Sequence, residues 1–76
     1  MSQIKKVVPL KDYQLEVQLE NGSSVILELE SRLGTLRFGM LADENFFRRV
    51  TTDGICIFWE DRIEISINEL FQLVQK

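Results

Sequence analysis

From Asp12 to Glu30 apolar and polar residues alternate in two runs on either side of Asn21-Gly22, the pattern of a β-hairpin. Tyr13, Leu15, Val17 and Leu19 share one face of the first strand, with Gln14, Glu16, Gln18 and Glu20 on the other. On the return strand Val25, Leu27 and Leu29 share a face. A two-residue turn at Asn21-Gly22 sets Glu20 opposite Ser23 and splits the apolar face. A type I turn at Glu20-Asn21 with Gly22 in a left-handed bulge instead pairs Leu19 with Ser23, Val17 with Val25, Leu15 with Leu27 and Tyr13 with Leu29. Because a one-residue slip inverts a strand's faces, the burial pattern favours the bulged register.

Ile4 to Lys11 reads as a strand before the hairpin, and Pro9 with the Lys5-Lys6 pair suits a sheet edge. The two-residue period is lost from Ser31 to Val50. There a short helical turn, a loop and one or two helical turns beginning near Asp43 are expected, with Asp43 as N-cap. From Val50 to Ser66 β character returns. Ile55 to Trp59 is apolar on both faces and is expected to be the most central strand, whereas Ile63 and Ile65 alternate with Arg62 and Glu64. Ser66-Ile67-Asn68-Glu69 fits a capping box, and Ile67, Leu70, Phe71 and Val74 form the apolar stripe of a C-terminal helix. The expected fold class is α+β: an antiparallel β-meander with a G1-bulge hairpin, a short helical middle segment, further antiparallel strands and a C-terminal helix. Residues 1–76 are read as a single small domain.

At 76 residues with 45% hydrophobic composition, such a chain buries roughly 60% of its unfolded surface. A second copy or a partner covering one face adds useful burial. The formal net charge of −3 argues against general affinity for phosphate backbones. The sequence around Ile4-Lys5-Lys6 lacks the apolar stretch of a signal peptide, and no run is long enough to cross a bilayer, so a cytoplasmic chain without membrane contact is expected.

Candidate chemistry changes this picture little. The chain has no histidine and one cysteine, Cys56, which lies in an apolar run and is expected to be reduced and covered. One cysteine without histidine makes no ordinary structural zinc site. Glu60, Asp61 and Glu64 gather around a turn, where charged residues are usually solvated. Gly34-Thr35-Leu36-Arg37-Phe38-Gly39 lacks the lysine and strand-to-helix frame of a phosphate loop. No catalytic residue, metal site or cofactor is therefore expected. The basic concentration is Arg32, Arg37, Arg48 and Arg49, a tentative partner-binding set in the irregular middle. It suits an acidic protein surface or nucleic acid, and a solvated face with arginine stems over apolar groups is the plain alternative. Trp59 and Phe38 fit interface anchors, or core in a chain this small.

The ordered residues Val8-Pro9-Leu10, Tyr13-x-Leu15-x-Val17, Asn21-Gly22, Leu27-Glu28-Leu29, Phe38-x-x-Leu41-x-Asp43, Phe46 or Phe47, Val50, Gly54, Trp59 and Glu64-Ile65-Ser66 run through nearly the whole chain. In this order the chain resembles the small prokaryotic family called domain of unknown function 2442, from about Ile4 to Phe71. Glu28, Arg62, Glu64 and Ile67 stand where members of that family often have aspartate, glycine, aspartate and proline. The resemblance implies a compact α+β module without established activity, in some cases joined to a helix-turn-helix domain or encoded beside another short protein. These 76 residues are expected to lack that DNA-reading domain. The resulting expectation is a non-enzymatic module binding another small protein, as the neutralising half of a toxin–antitoxin-like pair, or self-associating as a homo-oligomer. The alternative is a nucleic-acid-binding or regulatory accessory domain using the central arginines.

Overall fold

Two three-stranded antiparallel sheets and a C-terminal helix enclose one core in the computed structural model, which describes residues 3–74. The first sheet has the order β1-β2-β3, formed by Ile4–Pro9, Gln14–Leu19 and Ser24–Glu28. The second is β4-β5-β6, formed by Thr51–Thr52, Cys56–Trp59 and Ile63–Ser66. Between the sheets the chain makes 3₁₀ turns at Glu30–Arg32 and Gly39–Ala42 and the short helix α1, Glu44–Phe47. Helix α2, Ile67–Val74, follows β6 directly and packs against β3. Among the described residues no helix is long and apolar enough to cross a membrane.

The β2–β3 hairpin takes the bulged register. Leu15 lies opposite Leu27 and Val17 opposite Val25, while the Leu19 amide donates to the Ser23 carbonyl at 2.8 Å. Gly22 has φ +94°, whereas Asn21 is not in the left-handed region. The Gly22 amide donates to the Leu19 carbonyl at 3.1 Å, and Asn21 Oδ1 accepts from the Ser23 amide at 2.9 Å. The register puts Leu15, Val17, Leu19 and Leu27 into the core. Apolar burial at roughly 25 cal/mol per Å² thus selected the turn, and the turn did not select the burial.

The β1–β2 connection departs from the expected strand. Tyr13 falls in a 3₁₀ turn, Lys11–Tyr13, and both Asp12 (φ 61°) and Tyr13 (φ 59°) adopt left-handed backbone. Two L-residues in that region cost roughly 1–2 kcal/mol each, since the loop has no glycine. Tyr13 offsets part of this. Its hydroxyl donates to the Ala42 carbonyl at 2.7 Å, and its ring meets Phe47 edge to face with centroids 5.2 Å apart. Its carbonyl still accepts from the Leu29 amide at 3.0 Å, so the predicted Tyr13–Leu29 neighbourhood survives the loss of strand geometry.

The sheets join where the Ile4 amide donates to the Gly54 carbonyl at 2.8 Å. Gly54 turns the chain from β4 to β5 at φ +99°, and Asp53 Oδ1 accepts from the Ile55 and Cys56 amides, each at 3.0 Å. Strand β5 is central in its sheet, and Ile57 and Trp59 are fully buried. Its other face is only half covered. Cys56 and Phe58 on that side are half-buried, short of the cover the apolar run led one to expect, while Ile55 lies in the bend before the strand, next to Gly54, and is exposed.

Candidate functional site

The middle segment is anchored at three places and carries the predicted arginines. Asp43 caps α1, its Oδ1 accepting from the Asn45 and Phe46 amides at 3.0 and 3.4 Å. Phe47 at the end of that helix is buried, and its carbonyl accepts from the Trp59 indole N–H at 2.8 Å. The second anchor is the Tyr13 hydroxyl on Ala42. The third is Arg37, which forms a forked ion pair with the Glu69 carboxylate and donates to the Glu64 carbonyl at 2.8 Å. Its guanidinium carbon also lies 4.8 Å from the centroid of the buried Phe38 ring.

This ion pair alters the expected capping box. Ser66 Oγ accepts from the Glu69 amide at 3.2 Å as anticipated, but the Glu69 carboxylate turns to Arg37. A forked pair with a guanidinium, two bonds between opposite charges, outcompetes the single return bond from the carboxylate to the serine amide. The hydrogen bond from Arg37 holds the Glu69 carboxyl below the usual carboxylate range, and the same bond raises the guanidinium.

The four arginines do not present four available charges. Arg37 is paired with Glu69, and Arg49 Nη1 lies 3.0 Å from Glu60 Oε2 on the β5–β6 turn. Arg32 is half-buried and Arg48 exposed, and neither forms an ion pair among the described residues. What stands out on the segment is apolar. Leu36, next to Arg37, has a relative exposure of 103%, and Met40 one of 44%. Nothing in the hydrophobic pattern marked Leu36 as exposed, since it sits between the half-buried Leu33 and the core residues Phe38 and Leu41, and only the local turns rotate it outward.

The acidic residues of the β5–β6 turn line an open cleft of about 370 Å³ together with Asp53, Phe58 and Arg62. Glu60 has positive φ (54°) in that turn. Among the described residues no three carboxylate or cysteine side chains gather as a metal-holding group. Cys56, half-buried and not fully covered as expected, has its thiol pushed up to about 11 by a hydrogen bond to Glu64, burial and nearby negative charge. At neutral pH it stays a thiol, which is the opposite of nucleophilic activation.

With these elements the molecule defines a small α+β domain whose most prominent unburied apolar group rides on an anchored loop. Comparison with protein-family models, with curated proteins and with solved structures found no match.

Proposed function

We propose that the chain is a non-enzymatic interaction module that binds another small protein through the middle segment, in the manner of the neutralising half of a toxin–antitoxin-like pair. The observation that carries this reading is Leu36. A leucine wholly in water on a segment pinned by Arg37, Tyr13 and Trp59 has already lost conformational freedom, so a partner that covers it gains roughly 2 kcal/mol of apolar burial at little ordering cost. Met40 adds apolar area, and Arg32 and Arg48 supply the uncommitted positive charge, so the favoured partner surface is an apolar pocket with an acidic rim. The resemblance to domain of unknown function 2442, through residues from Val8-Pro9-Leu10 to Glu64-Ile65-Ser66, belongs to this proposal.

The nucleic-acid reading is weaker, because Arg37 and Arg49 already face carboxylates. Affinity capture from the host lysate, with and without nuclease, tests both. The expected result is one stoichiometric, nuclease-resistant protein whose retention falls about tenfold or more in Leu36→Asp and measurably in Arg48→Glu, with circular dichroism unchanged. Equal retention by the parent and both variants removes this surface from consideration. Retention abolished by nuclease transfers the reading to nucleic acid.

A further inference from the structure

The two sheets have four edge strands, and on β1 and β6 an outward backbone group is bonded to another part of the chain. β1 and β4 meet through the Ile4–Gly54 bond. β6 has the Glu64 carbonyl taken by Arg37, while the Ser66 hydroxyl accepts from the first turn of α2. β3 differs. The Leu19–Ser23 and Tyr13–Leu29 bonds at either end of its ladder place Val25 and Leu27 in the hydrogen-bonded pairs with β2. By the antiparallel alternation, the amides and carbonyls of Ser24, Ile26 and Glu28 point away from β2. None of these backbone groups bonds to another part of the chain among the described residues. All three residues are exposed, Ile26 at 49%. An unpaired row of this kind is a template for strand addition.

We propose that β3 is a self-association edge, where a second copy of this chain pairs antiparallel about a two-fold axis at Ile26. That register sets Ser24 opposite Glu28 of the other copy, Ile26 opposite Ile26, and Glu28 opposite Ser24, so each outward amide meets a carbonyl. It also suits the charges. No carboxylate faces a carboxylate: the two Glu16 side chains lie three strand spacings apart, about 14 Å, and the two Glu28 residues four positions apart along the ladder, also about 14 Å. Both separations exceed the Debye length at physiological salt. The result is one six-stranded sheet built from two copies of β1-β2-β3, closed by symmetry and leaving no further copy to add at that edge. A single five-residue strand pair buries little area, so the dimer belongs to the weak, transient class. β3 lies outside the middle segment, so this inference stands or falls separately from the docking surface around Leu36.

The test is the weight-average mass of the parent by sedimentation equilibrium, followed into the millimolar range that a weak interface requires. Expected is a rise from 8.9 kDa toward twice that value. Ile26→Pro removes only an outward amide and leaves the β2 ladder intact, and should raise the dimer dissociation constant about tenfold or more with unchanged circular dichroism. Ile26→Lys places like charges opposite one another at the axis. It should weaken the dimer to a degree that added salt partly restores, and it decides the question should the proline variant fold poorly. A parent that remains monomeric throughout overturns the proposal, leaving the edge to an extended segment of another protein or to water. A dimer unaffected by Ile26→Lys overturns it also, by placing the interface elsewhere.

Discussion

Trp59 joins the middle segment to the second sheet through one side chain. It is fully buried, stacks at a tilt on Phe47 with centroids 6.2 Å apart, and spends its only polar hydrogen on the Phe47 carbonyl. Two substitutions separate its volume from its hydrogen bond. Trp59→Ala removes both and should destabilise by roughly 3–5 kcal/mol. Trp59→Phe keeps most of the apolar contact but leaves a buried carbonyl without its donor, which costs about 1–3 kcal/mol. Urea unfolding followed by far-ultraviolet circular dichroism measures both, since the fluorophore itself is removed. A Trp59→Phe loss near zero beside a large Trp59→Ala loss would show that ring volume alone matters and that the carbonyl finds another donor.

At the scale of elements, α1 is four residues long and depends on its cap more than on its own propensity. Asp43→Ala leaves two first-turn amides without their acceptor and should cost about 1 kcal/mol, while Asp43→Asn should cost less than half of that. A shift of the urea midpoint with unchanged slope is the expected signature. This cap was readable in the sequence because it needs only neighbours: an aspartate before a short apolar run. The hairpin was readable for the same reason, since Leu15, Val17, Val25 and Leu27 settle their own register. What was hidden depends on residues distant in the chain. Tyr13 leaves its strand for a carbonyl 29 residues away, and Glu69 gives up half a capping box for an arginine 32 residues away. Cys56 and Ile55 look like core in a run of apolar residues, but Cys56 lies on the half-covered face of β5 and Ile55 in the bend before the strand. The four arginines were legible as a concentration, yet their availability was not, because Glu60 and Glu69 lie beyond the segment that holds them.

For the molecule as a whole, the Arg37–Glu69 pair ties the middle segment to α2 and, through the Glu64 carbonyl, to the edge of the second sheet. It is partly exposed, with side-chain exposures of 48% and 29%, so its worth is that of a screened surface pair, up to about 1 kcal/mol. Its pH dependence has a definite sign. The hydrogen bond from Arg37 lowers the folded Glu69 carboxyl below its unfolded value of roughly 4.3. The contribution is therefore fully present above that unfolded value and is lost as pH falls through the lower folded one. Asp53 is shifted the same way, by the Cys56 and then the Ile55 amide, so the parent should lose stability in acid from two separate places. Glu69→Gln isolates one of them. The variant should be less stable than the parent at pH 7 by up to about 1 kcal/mol, and the two urea midpoints should converge as the pH is lowered from 5 toward 3. Raising the salt at pH 7 should narrow the same gap, because a partly exposed pair is screened whereas the packed core is not. Midpoints that keep a constant separation across both series would mean that Glu69 acts by packing and that the carboxylate charge does not hold the segment in place.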